Sequence, residues 1–322
     1  MTAVADPAHA GESPAVKPRV IVITGPTATG KSGAAVRLAK EIGGEIISAD
    51  SMQVYRGMDI GTAKITPGEM QGVPHHLIDI LDVNEEFNAA VFQQYANAAC
   101  RKIYANGHIP IVCGGTGFYI QALLYQIDFT EEEARDDIYR NELWKLSERE
   151  DGPDELFSML SALDPETAAV IDRHNLKRVI RALEYYKLHG SGIARHNREQ
   201  EARKSHSPFD YRYFVLSGNR QALYERIDAR VDRMIEDGLV QEALKLRENG
   251  LRMDSTAAQG IGYKEIYAYL DGHCTLDEAI AQIKLNSRHY AKRQFTWFRR
   301  EKNAVWIDTD QGDPLDEIRK YL

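Results

Sequence analysis

The chain has 322 residues, 43% hydrophobic and 27% charged, a composition ordinary for a soluble protein and a length beyond the roughly 150 residues of one domain, so one sizeable core with an inserted or appended module is expected. No apolar run approaches the roughly 20 residues that span a bilayer, and Cys100, Cys113 and Cys274 lie far apart without a CxxC pair, which argues against a membrane protein, a disulfide framework and a zinc site and fits a reducing cytoplasm. The net charge of −8 would count against a nucleic-acid partner if the charges were evenly spread, but Lys284, Arg288, Lys292, Arg293, Arg299 and Arg300 fall in one stretch without a carboxylate, while acidic residues gather at Glu131 to Glu133 and Glu148 to Glu155.

Residues 1–18 lack a basic n-region and an apolar h-region and read as a flexible tail. The β-branched run Arg19 to Thr24 reads as a strand, bounded by Gly25 and Pro26 and followed by an Ala-rich helix from near Lys31. A second strand, Glu45 to Ala49, ends at Asp50; a helix from Ala89 to Asn106 leads to a third strand, Ile109 to Cys113, which ends at Gly114-Gly115. Over residues 129–206 the strand signal disappears into charged helical stretches, including Asp154 to Leu163 and Asn175 to Leu188, which read as a helical insertion. A strand returns at Tyr211 to Leu216, followed by helices between Gln221 and Arg300 and a short strand from Ala304 to Ile307. Alternating strands and helices imply an α/β fold with a parallel sheet covered on both faces, its core formed by residues 19–128 and 207–322.

The segment Gly25-Pro26-Thr27-Ala28-Thr29-Gly30-Lys31-Ser32 matches GxxxxGK[ST] between a strand and a helix, the context that motif requires. The glycines let successive N–H groups converge on phosphate oxygens at a helix N-terminus, Lys31 adds a point charge, and the Ser32 hydroxyl can ligate Mg²⁺. An ordinary glycine-rich turn is the bland reading. The strand Ile109 to Cys113 ends in Gly-Gly-Thr instead of the acid of an ATP hydrolase, which argues against ATP hydrolysis.

Ligands of open parallel sheets bind beyond the carboxyl ends of the strands, where Asp50 and Thr116 both fall. Asp50 either faces the phosphate or caps the next turn; the Thr116 hydroxyl either donates to a leaving oxygen or belongs to a plain turn. On these residues alone, a small-molecule or nucleoside kinase and a noncatalytic RNA-binding P-loop protein both stay open.

Five blocks carry a family resemblance: GPTATGKS at 25–32, SADSMQVYRGMDIGTAK at 48–64, PHHLID at 74–79, GGTGFY at 114–119 and RQFTWFR at 293–299. Together, over about residues 19–310, they resemble the bacterial-type tRNA dimethylallyltransferases (isopentenyltransferases). The resemblance implies a P-loop NTPase-like fold, similar to nucleotide kinases, and transfer of the dimethylallyl group of dimethylallyl diphosphate to N6 of adenosine 37, beside the anticodon, in tRNAs reading codons that begin with U.

It further implies Asp50 as the base, Thr116 as a contact to both diphosphate and target nucleotide, and Gly25 to Ser32 with Mg²⁺ on Ser32 as the diphosphate cradle. A distal arginine completes that cradle, with Arg230 favoured over Arg226. The tRNA contacts implied are Asp50, Ser51, Met52, Gln53, Thr116, Arg140, Lys177, Arg178, Arg181, Gly260 and Lys264. Arg173, Lys177 and Arg181 are spaced as one basic helical face. Arg288 and Lys292 stand four apart among Tyr290, Phe295, Trp297 and Phe298, with the arginines expected to face phosphates and the aromatics the core. The expected partners are dimethylallyl diphosphate and the tRNA anticodon stem-loop, with no membrane, for a cytoplasmic monomer. No Cys/His pairs follow the basic helix, as they do in eukaryotic relatives, and Ser32 replaces the threonine of many relatives while keeping the hydroxyl.

Overall fold

The computed structural model describes residues 17–129, 137–196, 198 and 207–322. The expected tail, apart from Lys17 and Pro18, and the acidic run 131–133 lie outside them. The described chain divides into two compact units, one ending at Ile120 and resuming at Pro208–Leu322, the other Gln121–Ser207.

The first unit is built on six parallel strands, β1 (Arg19–Thr24), β2 (Gly44–Ser48), β3 (His75–His76), β4 (Ile109–Gly114), β5 (Asp210–Ser217) and β6 (Ala304–Asp308), in the order β3-β2-β4-β1-β5-β6. Val20 to Ile23 are fully buried, so β1 reads as a continuous apolar run instead of an alternating one because helices cover both of its faces. One face packs Ile21, Ile23, Ile46, Ile111 and Leu216 against Ala35, Leu38 and Ala39 of α1 (Lys31–Ile42) and Leu315 and Ile318 near the C-terminus. Helix α1 stops where Gly43 takes the left-handed conformation and its N–H caps the Ala39 carbonyl. The short helix α2 (Pro67–Met70) packs beside α1, and α3 (Ala89–Ala105) buries Phe92, Ala96, Cys100 and Ile103 and contacts β2 and β4.

Beyond α4 (Gly117–Tyr125), the second unit is helical: α5 (Asp137–Ser147), α6 (Gly152–Leu163), α7 (Pro165–Ala168) and α8 (Leu176–His189). Its core is formed by Leu143, Leu156, Leu160, Val179, Ile180 and Leu183. Helix α8 starts one residue later than the spacing suggests, because the Asn175 side chain caps the Arg178 N–H. Arg173 precedes the helix and pairs with Asp154, so of the expected basic face only Lys177 and Arg181 lie on α8, beside Arg178.

The rest of the first unit comprises α9 (Arg220–Glu236), α10 (Leu239–Glu248), α11 (Tyr263–Leu270), α12 (Leu276–Phe298) and α13 (Pro314–Ile318). Helix α12 opens with a capping box between Thr275 and Glu278 and buries Ile283, Ala291, Gln294 and Phe298. It is joined to α9 by two ion pairs of matching spacing, Lys284–Asp232 and Arg288–Asp228, both at 2.6 Å. The carboxylates missing from the basic stretch thus come from α9. No helix among the described residues is long and apolar enough to cross a membrane.

Candidate functional site

Because the sheet is parallel, β2, β4 and β1 deliver their C-terminal ends side by side, with Ser48 opposite Cys113 and Thr24 opposite Gly114. The loops leaving these ends are stitched together: Thr24 Oγ1 donates to the Gly114 carbonyl at 2.6 Å, and the amides of Ala49 and Thr116 donate to the carbonyls of Cys113 and Ala49 at 2.8 and 3.1 Å. The strand ends carrying the phosphate loop, Asp50 and Thr116 are therefore one continuous rim.

The phosphate loop turns at Gly25, whose φ of 149° and whose position, where a Cβ would come 2.4 Å from the Leu216 carbonyl oxygen, admit only glycine. The loop is braced from within by Thr29 Oγ1 and Lys31 Nζ, which donate to the Pro26 carbonyl at 2.9 and 3.3 Å. From outside, Arg230 donates to Thr27 Oγ1 at 3.3 Å and Arg226 to the Ala28 carbonyl at 3.1 Å. Burial holds Lys31 below the usual lysine range; Arg230 adds to that lowering, while the nearby Cys113 and Asp50 oppose it. Arg230 is likewise lowered by burial and by Arg233. An anion between these crowded cations would relieve their repulsion.

Two adjoining cavities meet here. The larger, about 670 Å³, is lined by Thr27, Ala28 and Gly30 to Gly33, with Ser48, Cys113, Gly114 and Arg233. The smaller, about 340 Å³, has an apolar wall of Met52, Ile227, Val231, Met234, Ile261 and Ile283 beside Tyr263 and Tyr290, with Gly260, Lys264 and Arg293 also on its lining. Both are of ligand size. Thr27, Asp50, Thr62, Ala63, Arg230 and Met234 line both. Arg226 lines neither.

Asp50 lines both cavities and caps the next turn. Its Oδ1 accepts the amides of Met52 and Gln53 at 2.9 and 3.3 Å, a turn cap that fixes the carboxylate plane, while Oδ2 takes no hydrogen bond among the described residues. Thr116 lines neither cavity; its hydroxyl is buried near the Tyr290 phenol without a hydrogen bond of good geometry. Burial and the Asp50 charge push that phenol up, so it stays protonated at neutral pH. Ser32, in the first turn of α1, is exposed on the larger cavity.

Several expected contacts have protein partners. Arg288 is ion-paired with Asp228, Lys264 lies 3.6 Å from Glu265, and in the second unit Arg140 pairs with the buried Glu184. Lys292 is exposed on α12; Lys177, Arg178 and Arg181 are exposed on α8, opposite its buried Val179, Ile180 and Leu183.

Two site residues escaped sequence reading. Glu242, on α10, accepts the amides of Asp59, Ile60 and Gly61 at 2.9, 2.8 and 3.0 Å and the Tyr263 hydroxyl at 2.6 Å, and so holds the loop that walls both cavities. Nothing local marks it. Gln294 sits within the RQFTWFR block, yet only the fold reveals its contacts: its Oε1 accepts the Thr27 amide and its Nε2 donates to the Gly115 carbonyl, both at 3.0 Å.

The chain matches the family model described as IPP transferase over residues 53–301. It is 53% identical over 307 residues to the tRNA dimethylallyltransferase of Lachnoclostridium phytofermentans, covering 94% of this chain and 97% of that protein. It is 48% identical over 305 residues to that of Bacillus subtilis, covering 94% and 95%. Among solved structures, the full-length tRNA isopentenylpyrophosphate transferase from Bacillus halodurans superposes with a TM-score of 0.70 at 46% identity, over 95% of this chain and 94% of that one. A eukaryotic dimethylallyltransferase described as acting on tRNA gives 0.77 at 32%, over 90% and 74%.

Proposed function

The chain belongs to the IPP transferase family of tRNA dimethylallyltransferases, and from that membership we propose that it moves the dimethylallyl group of dimethylallyl diphosphate to N6 of adenosine 37 in tRNAs reading codons that begin with U. One observation carries the chemistry: Thr27, Asp50 and Arg230 line both cavities, so a base and an anion cradle share one wall.

In this reading the diphosphate occupies the larger cavity and the extruded adenine the smaller. A stacked base cannot reach a buried diphosphate, so it has to be flipped out of the anticodon loop. The exocyclic amine is a poor nucleophile, its lone pair being delocalised into the ring. As N6 bonds to the allylic carbon and the carbon–oxygen bond breaks, Asp50 takes the N6 proton. Its two backbone hydrogen bonds hold the carboxylate in place for that transfer. The charge that develops on the departing diphosphate meets Lys31, Arg230 and the loop amides. The chemistry of the donor set fits Mg²⁺: a hydroxyl, Ser32, exposed on an anion cavity, with phosphate and water oxygens left to complete the shell. When bound, the ion would neutralise leaving-group charge.

The exposed Lys177, Arg178 and Arg181 are read as phosphate contacts of the anticodon stem-loop. Arg140 and Arg288, each already paired with a carboxylate, are read as joining helices, α5 to α8 and α12 to α9.

The test is mass spectrometry of nucleosides from unmodified tRNA incubated with the protein and dimethylallyl diphosphate. N6-(dimethylallyl)adenosine is expected. Its absence, with phosphorylation of a nucleoside by ATP in its place, would hand the site to a kinase.

A further inference from the structure

We propose that Gln294 is a positioning residue for the transfer, its carboxamide holding the diphosphate loop and the Thr116 loop in fixed relation. The inference rests on the prenyl-transfer reading and adds to it a residue that need not touch either substrate.

Gln294 is 4% exposed on α12. Its amide is used at both ends, accepting from the Thr27 N–H and donating to the Gly115 carbonyl. This double engagement fixes which end faces which loop, because a flipped amide would set N–H against N–H and oxygen against oxygen. The approach is close enough that a Cβ on Gly115 would lie 2.1 Å from Nε2. Glycine there serves the bridge.

One of the loops it joins is the diphosphate loop, and the other is tied by the Thr116 amide to the carbonyl of Ala49, the residue before Asp50. Thr27 lines both cavities and takes the Arg230 hydrogen bond, so the Gln294–Thr27 contact sets the diphosphate side. Gly115 immediately precedes Thr116, so the other contact sets where that buried hydroxyl lies. Losing the bridge leaves the buried Gly115 carbonyl and the partly buried Thr27 N–H without this partner and frees the loops to shift. A displacement of about 1 Å at reacting groups costs about a hundredfold in rate.

The test compares Gln294→Met and Gln294→Glu with the wild-type full chain in steady-state transfer, with thermal melting as a check on folding. A protonated glutamic acid carries a carbonyl and an O–H where the amide carries its acceptor and donor. A carboxylate lacks the donor and places a negative charge beside the diphosphate loop. Gln294→Met is expected to lower kcat about tenfold to hundredfold while leaving the KM for tRNA within about twofold. Gln294→Glu should be impaired at about pH 8 and regain at least about fivefold, as a ratio to wild type at the same pH, on going to about pH 6. Lys31, Asp50, Arg230, Tyr290 and Arg293 face the site in both proteins, so activity is read as a ratio to wild type at the same pH. Wild-type kcat in Gln294→Met, or a flat ratio across that pH range, would overturn the proposal while the prenyl-transfer reading stands. A wild-type protein that forms no N6-(dimethylallyl)adenosine would overturn both.

Discussion

The Arg230 guanidinium donates to the Thr27 hydroxyl at 3.3 Å, tying the middle of α9 to the phosphate loop across 203 residues of sequence. Arg226, one helical turn earlier on α9, reaches the same loop, but at the Ala28 carbonyl and from an exposed position outside both cavities. The two arginines brace one loop, and only one of them lines the space where an anion would sit.

Arg230→Ala should therefore lower kcat/KM for dimethylallyl diphosphate by about 10²-fold, the scale for removing one preorganised charge donor. Arg226→Ala should cost less than about threefold, as for an exposed contact. Equal losses in the two variants, measured by varying the diphosphate at saturating tRNA, would refute the distinction.

Asp50→Asn preserves the size of the side chain and an oxygen that can cap Met52 and Gln53, but removes the base. Turnover should fall about 10²- to 10⁴-fold with binding of both substrates retained. Wild-type single-turnover rates in this variant would remove Asp50 from the chemistry.

Replacing Lys177, Arg178 and Arg181 together with alanine leaves the buried side of α8 intact. If each meets one phosphate, tRNA affinity should weaken and the dependence of log K on log salt should flatten by about 2, with kcat at saturating tRNA unchanged. Titrations of tRNA binding at several salt concentrations read this directly, and an unaltered slope would exclude this face.

Away from the site, the buried Glu45 carboxylate accepts hydrogen bonds from Asn106, His108 and His76 at 2.8, 2.7 and 2.7 Å. Burial alone would raise its pKa, but these three partners pull it from the ordinary 4.5 to about 2. A carboxylate whose folded pKa is depressed stabilises the fold above its unfolded value, and that contribution fades as pH falls from about 4.5 through about 2. Denaturant melts should show wild type exceeding Glu45→Gln by about 3 kcal/mol at pH near 6, with the gap closing in acid. A gap constant down to about pH 3 would contradict the pKa shift.

Much of the fold was legible because its signals are local. The β-branched run ending at Gly25-Pro26 reports a strand meeting a loop, the GxxxxGK[ST] spacing reports backbone geometry, and Asp50 and Gly114-Gly115 sit directly after apolar runs. The two-residue strand β3 was not legible: His75 and His76 have no strand pattern and pair only because Ile46 and Ile47 lie beside them. The basic α12 misled for a related reason, since its charges are contiguous in sequence while Asp228 and Asp232, which neutralise Arg288 and Lys284, lie on another helix.

By itself, then, the sequence determined the parallel α/β core, the phosphate loop and the position of an acid at a strand end, since each follows from residue types a few positions apart acting on backbone conformation. Tertiary structure alone decided that Arg230 rather than Arg226 lines the cavities, that Glu242 holds the 59–61 loop, and that Gln294 joins the two loops at the rim. Those outcomes depend on which faces of distant helices are buried together, and short-range patterning sets which face is apolar but not what it meets.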